Sequence, residues 1–322
     1  MGGLSKESLL SLYRGMLLIR RFEERVAELF ARGKLPGFVH LYIGEEAIAV
    51  GVCSVLRDDD FITSTHRGHG HLIAKGGDVA KMMAEIYGKS TGYCKGKGGS
   101  LHITDVSVGM LGANGIVCGG VPIAVGAAYG SAKIRGTDQV AVAFFGDGAT
   151  SEGAFHEACN MASAWKLPVI FVCENNLYGV GTRLGRVAPT EDLIARASGY
   201  GMPAVSVDGN DVIAVREAAK EALARAREGG GPSFLECKTW RHRAHFEGED
   251  TSLYRNEDEH QSWLAKDPVK RFARRLLESE TVTQEELDEL NDAVQAEINE
   301  AVKFSEESPD PAPEDALEDL YV

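Results

Sequence analysis

Asp147 stands between two glycines directly after the apolar run VAVAFF, and the pair Asn175-Asn176 follows a second apolar run, PVIFVC. An acid and an amide in these places offer hard oxygen ligands, which suit magnesium or calcium better than a thiol-loving metal. Two protein oxygens do not complete a magnesium site. The ion takes about six and draws the remainder from water and substrate phosphates, so the pairing predicts a phosphate-bearing ligand. Gly146 and Gly148 let the backbone come close to it, and a helix starting near Gly153 can turn N–H groups toward an anion. His66 and Arg67, after the short run FITS, carry donors and charge for the far side of a diphosphate. Arg241, His242 and His245 follow a fourth run, SFLECKTW.

Other readings of these residues account for less. Asp147 alone fits a turn residue or helix cap, which leaves Asn175-Asn176 at the matching strand end unexplained. No GxxxxGK[ST] occurs, which excludes a P-loop. GDGATSEG carries Ser151 where a dinucleotide fingerprint carries its third glycine, and its aspartate repels a pyrophosphate unless a cation intervenes.

The elements that must hold these residues are strands alternating with helices. VAVAFF, PVIFVC, AVSV and SFLECKTW read as near-continuous apolar strands, separated by helices over Gly153–Lys166, TEDLIARASGY and Asp211–Arg227. That pattern predicts an α/β fold, a doubly wound and mainly parallel sheet with helices on both faces. Ligands of such sheets bind beyond the carboxyl ends of the strands, where all four polar sets gather. Upstream, Leu9, Leu12, Tyr13, Met16, Phe22, Val26, Leu29 and Phe30 form a helical stripe that Gly33 ends. Helices also fit GEEAIAVGVCSVL and VAKMMAEIYGK, and PIAVGAAYGSAKI takes Pro122 in its first turn. Residues 88–120 are glycine-rich and read as long loops that approach a ligand closely. The expected organisation is one domain over 1–322, with a helical extension at 1–33 and two helices and an acidic tail at 267–322.

The chain has 322 residues, 48 acids against 34 bases and a formal charge of −14, which argues against a nucleic-acid or anionic-membrane surface. Its six cysteines form no CxxC pair and read as small core residues rather than a disulfide or zinc framework. MGGLSKESLL lacks a secretion-signal pattern, and no apolar run approaches the ~20 residues a membrane span needs. A cytoplasmic protein is expected.

GDG and NN, separated by the 26 residues 149–174, are similar to the thiamine-diphosphate signature. The whole stretch GDGATSEGAFHEACNMASAWKLPVIFVCENNLYG resembles the α subunit of the first component of 2-oxo acid dehydrogenase complexes. The resemblance runs from about residue 8 to the C-terminal helices and includes FVHLYIGEEA, HRGHG, KGKGGSLHI, GANGIVCGGVP and SFLECKTWRHRAH. It implies thiamine diphosphate and Mg2+ as cofactors. The implied metal ligands are Asp147, Asn176 and the Tyr178 carbonyl. The implied cofactor contacts are His66, Arg67, Gly148, Ala149, Arg241 and His245, with the Gly115 and Val117 backbone on the aminopyrimidine. His66 departs from the tyrosine common in pyruvate and branched-chain members, which puts its own hydrogen bond in doubt.

By the same resemblance, His245 transfers protons or stabilises charge, a role that suits a neutral imidazole near pH 7. His69 and His102 match positions near the active site, as does His40; a satisfied core histidine is the competing reading for each. A zinc cluster of His66, His69 and His71 is the remaining alternative, without a nearby cysteine or carboxylate in a usual pattern. The glutamate that activates the cofactor's pyrimidine comes from a partner β subunit in this family, so the chain is expected to supply half of a site completed in an α2β2 assembly. Glu45 and Glu46 read as surface or packing residues.

THRGHGH, GMLGANGIVCGG and HFEGE together resemble acetoin dehydrogenase α subunits most. The implied reaction cleaves acetoin, a small neutral ketone, leaves a hydroxyethyl group on the cofactor and passes the acyl group to lipoyl on an acyltransferase. Pyruvate or another 2-oxo acid is the alternative substrate, and a non-catalytic binding subunit the remote one. Glu247, Glu249 and Asp250 disfavour a carboxylate substrate if they face the cleft; a solvated acidic loop is the plainer reading.

Overall fold

A computed structural model describes residues 3–319; positions 1–2 and 320–322, the extreme ends of the expected N-terminal extension and acidic tail, lie outside the described residues. Five parallel strands form the sheet, in the order β1 (Phe61–Thr63), β2 (Ala141–Gly146), β3 (Val169–Asn175), β7 (Ser233–Lys238) and β6 (Ala204–Asp208). A two-residue hairpin, β4 (Tyr178–Gly179) with β5 (Thr182–Arg183), follows β3. The expected parallel α/β architecture is present.

Alternation along the strands sends side chains to two cores. Val142, Phe144, Ile170, Val172 and Leu235 join one buried cluster, while Ala141, Ala143, Phe145, Val169, Phe171 and Phe234 join the other. Each fully buried phenylalanine contributes about 1.5–3 kcal/mol of hydrophobic stabilisation, which ties both helical layers to the sheet. The first core is covered by α1 (Lys6–Ala31), α2 (Glu46–Cys53), α4 (Val79–Ile86), α8 (Val212–Arg227), α10 (Pro268–Glu278) and α11 (Gln284–Glu307). The second is covered by α5 (Gly120–Tyr129), α6 (Gly153–Ala164) and α7 (Ile194–Ser198). The change of face follows from topology. The chain steps outward from β3 to β6 and then back to β7, and a right-handed crossover in the reverse direction lays α8 on the opposite face.

Local chemistry fixes the helix ends. Ser5 caps α1 by accepting from the Ser8 N–H, Thr283 and Glu286 form a capping box on α11, and Asp267 caps α10 with Pro268 in its first turn.

Three elements differ from the sequence expectation. GHGHLIA folds as a short helix, α3 (Gly68–Ala74), in which His69 and His71 find buried partners. The helix expected over TEDLIARASGY is only the five residues of α7. An unexpected helix, α9 (Glu257–Leu264), starts from an Asn256 cap, is polar over its first six residues and ends in Trp263, which stacks on Trp240, and Leu264. Residues 88–119 are loops with two short 3₁₀ turns, held from within by Glu85. That buried carboxylate accepts four backbone N–H bonds, from Cys94, Gly96, Gly98 and Gly99. Asp310 and Asp319 of the acidic tail pair with Lys89, Lys95 and Lys97 of the same loop. All six cysteines are free. Among the described residues no helix is long and apolar enough to cross a membrane.

Candidate active site

The carboxyl ends of β1, β2, β3 and β7 open onto one cleft of about 400 Å³. Parallel register sets the cleft's floor: Gly146 pairs with Glu174, and Asn175 with Lys238, so the residues after each strand arrive at the same level. His66, Arg67, Gly115, Val117, Asp147, Gly148, Ala149, Asn176, Tyr178, Arg241 and His245 all line it. His69 and His102 do not.

Burial without partners marks the cleft chemically. Among the described residues eleven buried side-chain polar atoms lack a hydrogen-bond partner, and five belong to cleft residues: His40 Nδ1, Glu45 Oε2, His66 Nε2, Asp147 Oδ2 and Arg241 Nη1. A buried polar group without a partner costs about 1–3 kcal/mol, so five in one place point to a polar ligand. A wider depression of about 560 Å³ beside β6 has no such atom on its walls.

Asp147 is 1 % exposed, and burial pushes its carboxyl up to about 6. A bound cation reverses that penalty, because it favours the charged form by direct attraction. The neighbouring asparagines divide their work. Asn175 Nδ2 donates to Glu236 Oε1 at 2.7 Å, away from the cleft, whereas Asn176 Nδ2 donates to Glu45 Oε1 at 2.9 Å and keeps Asn176 Oδ1 near the Tyr178 N–H, at 3.3 Å. Asp147 Oδ2, Asn176 Oδ1 and the Tyr178 carbonyl thus form a set of hard oxygens that fits magnesium. Arg241 Nη2 reaches Val180 O at 3.0 Å and lies 3.4 Å from Tyr178 O, while its Nη1 is left for an anion. A Cβ built on Gly146 meets nothing within 4 Å and one on Gly148 meets only Gly179 Cα at 3.7 Å, so the GDG turn leaves room for phosphate oxygens.

Backbone strain collects here. Cys118, Leu177 and Val180 have φ of 66°, 69° and 53°, a region that residues other than glycine rarely adopt; Cys118 and Val180 line the cleft, and Leu177 lies between Asn176 and Tyr178.

Arg67 clasps two loops rather than reaching freely into the cleft. Its Nη1 donates to Leu41 O at 2.6 Å and its Nη2 to His245 O at 2.8 Å. The loops so joined carry His40 and His245, whose rings meet that of His66 at centroid distances of 4.8 to 5.1 Å. Burial, and then the Arg67 charge, hold His40 down to about 4 and His245 down to about 3; the same causes keep His66 well below the usual range. Three neutral imidazoles at the mouth can donate and accept hydrogen bonds. Arg67 Nη2 also lies 3.4 Å from His245 Nδ1, and since a guanidinium only donates, that ring's proton sits on Nε2.

Several expectations need correction. His69 is fully buried between Glu23, at 3.0 Å, and Ser100, at 3.0 Å, so both ring nitrogens are spent in the core. His71 is likewise held by Ser64 and Glu174, and no His66–His69–His71 zinc cluster forms. His102 is exposed; its ring stands 3.5 Å from where a Gly115 Cβ would lie, beside the cleft but outside its lining. The acids of FEGED do not face the cleft: Glu247 pairs with Arg243, Glu249 accepts from the His245 N–H and Tyr254 OH, and Asp250 caps a turn at Ser252. Glu45, read as a surface or packing residue, is a buried cleft residue. Glu174, which accepts from Tyr42 OH, is a further cleft residue, at the end of an apolar strand with no local signal to mark it. A pair of glutamates leading an otherwise apolar helix was the one available signal for Glu45.

Residues 14–314 match the family profile described as Dehydrogenase E1 component. The chain is 53% identical over 320 residues to the alpha subunit of acetoin:2,6-dichlorophenolindophenol oxidoreductase of Bacillus subtilis (strain 168), covering 99% of this chain and 95% of the relative. It is 52% identical over 320 residues to the subunit of the same name in Cupriavidus necator, covering 99% and 96%. The pyruvate dehydrogenase E1 component subunit alpha of Porphyra purpurea is 40% identical over 314 residues, covering 96% and 91%.

Proposed function

Since the chain belongs to the dehydrogenase E1 component family, we propose that it is the α subunit of a thiamine-diphosphate-dependent dehydrogenase that cleaves acetoin and delivers the acyl group to lipoyl on an acyltransferase. The observation that carries this reading is the set of unpartnered buried atoms on one cleft, Asp147 Oδ2 and Arg241 Nη1 foremost, with Asn176 in the same lining. In this reading Asp147, Asn176 and the Tyr178 carbonyl hold Mg2+. Gly148, Ala149, Arg241 and Arg67 surround the diphosphate, and the Gly115 and Val117 backbone meets the aminopyrimidine. Thiamine diphosphate, when bound, supplies the nucleophilic thiazolium carbon and the electron sink for breaking the bond beside the substrate carbonyl.

The chain's own side chains do the rest. His66 Nε2, free in the cleft, hydrogen-bonds a substrate oxygen, and the His245 Nε2–H donates a proton or a hydrogen bond to charge developing on oxygen. His102, beside Gly115, is retained as a contributor at the cleft's edge, while His69 acts only through Glu23 and Ser100. A partner β subunit completes the site in an α2β2 assembly. The protein works in the cytoplasm as one thiamine-diphosphate-binding domain over 1–322.

Three uncharged imidazoles suit a neutral hydroxyketone. Pyruvate is the second reading, supported by the 40% identity to the pyruvate dehydrogenase E1 component subunit alpha of Porphyra purpurea. Reduction of a dye acceptor by the reconstituted α/β pair decides between them: acetoin turnover well above pyruvate turnover is expected, and brisk pyruvate turnover without acetoin turnover reverses the order. A pair inactive toward both, despite bound cofactor, returns the chain to a non-catalytic role.

A further inference from the structure

An asparagine helps to hold a hard cation only if its amide presents oxygen rather than NH2. For Asn176 two contacts set that choice: the Tyr178 N–H donates to Oδ1 at 3.3 Å, and Nδ2 donates the shorter bond, to Glu45 Oε1 at 2.9 Å, across a separation of 131 residues. Glu45 is 1 % exposed, and its second oxygen, Oε2, has no partner. Burying this carboxyl against a single amide N–H carries a desolvation penalty, so the contact marks a role in the cleft rather than a contribution to stability.

The surroundings hold Glu45 in place. Its neighbour Glu46 turns to the other side, where Arg20 Nε meets Glu46 Oε1 at 2.6 Å and Arg20 Nη1 meets Asp267 Oδ2 at 2.8 Å. These buried pairs join α1, the start of α2 and the cap of α10. Gly44, at φ +106°, lets the chain turn beneath Trp240, whose carbonyl would lie 2.3 Å from any Cβ there. The backbone of Glu45 is therefore fixed from behind, and its carboxylate enters the cleft beside Asn176.

We propose that Glu45 is a positioning residue for the metal, locking the Asn176 amide so that Oδ1 faces the cation. The proposal rests on the magnesium reading of Asp147 and Asn176 given above. Partners that orient ligands without touching the ion typically change metal affinity about 10- to 100-fold when removed.

The test is the magnesium dependence of thiamine diphosphate binding, read by titration calorimetry on the full chain co-purified with its partner subunit. Glu45→Gln keeps an acceptor for Asn176 Nδ2, and its magnesium half-saturation is expected to stay within about 3-fold of the unmodified protein. Glu45→Met keeps the bulk and removes the acceptor, and half-saturation is expected to rise at least ~10-fold, with no loss of thermal stability in the cofactor-free chain. A Glu45→Met protein with unchanged magnesium dependence overturns the proposal. So does a Glu45→Gln protein as weak as Glu45→Met, because charge rather than the amide lock would then be at work. If the unmodified protein binds the cofactor with no metal dependence, the magnesium reading itself fails, which is a separate result.

Discussion

Glu249 Oε2 accepts the His245 backbone N–H at 2.7 Å and the Tyr254 hydroxyl at 2.9 Å. The acid next to the catalytic candidate thus shapes the loop and is not aimed at the substrate. Glu249→Ala is expected to destabilise the chain by about 1–3 kcal/mol through the two lost bonds. The preference between acetoin and pyruvate, measured as the ratio of kcat/KM values, should shift by less than about 3-fold. A shift of tenfold or more toward pyruvate would restore the charge filter that the loop sequence suggested.

His245 holds Arg67 through its backbone carbonyl, at 2.8 Å, and that contact survives loss of the ring. His245→Ala should therefore bind thiamine diphosphate nearly as the unmodified protein does, while lipoyl acylation falls by about 10²- to 10⁴-fold, the usual worth of a positioned proton donor. Full acylation in this variant removes His245 from the mechanism.

The histidines at the mouth set a pH dependence of known sign. His40 and His245 are held down to about 4 and about 3 by burial and then Arg67, with Arg241 adding to both, and His66 shifts the same way. Unfolded histidine titrates near 6.5, so below that pH the unfolded chain takes up protons that the fold refuses. These rings leave stability flat above about pH 7 and lower it progressively as pH falls from about 6.5 toward 4. Proton NMR of the cofactor-free chain should show three imidazole resonances that do not move between pH 8 and pH 5; midpoints near 6.5 contradict the account.

Val180 sits at φ 53° with a half-exposed side chain. A β-branched residue in this left-handed region costs about 1–2 kcal/mol, part of which glycine returns to greater unfolded-state freedom. Val180→Gly should raise the melting temperature of the cofactor-free chain, by roughly 1 kcal/mol or less in stability. A lower melting temperature means that the turn is not strained.

The sheet and the metal pair were legible because each depends on short-range pattern. Apolar runs of strand length mark the sheet, and the polar residue after each run falls at the carboxyl edge by topology alone. What escaped depends on contacts between distant segments. Glu45 finds Asn176, and His69 finds Glu23 and Ser100, only after α1, α2 and α3 have packed together. HRGHGH looks like an active-site motif as a unit, yet a helix turns its residues in different directions. His69 and His71 enter the core while His66 and Arg67, just before the helix, remain in the cleft. Local spacing also gave no means of knowing that FEGED spends its acids on Arg243, on the His245 N–H and on a turn at Ser252.

The most direct measurement is calorimetric titration of the chain, co-purified with its partner, with thiamine diphosphate in the presence and absence of magnesium, for the unmodified protein and for Asp147→Asn. Asp147 Oδ2 is buried with no partner, so the amide should leave the cofactor-free chain as stable or more so while abolishing metal-dependent binding. Saturable binding that needs magnesium and vanishes in Asp147→Asn is the expected result. Equal binding without magnesium, or unimpaired binding by Asp147→Asn, would contradict the assignment of this cleft to a metal-bound diphosphate.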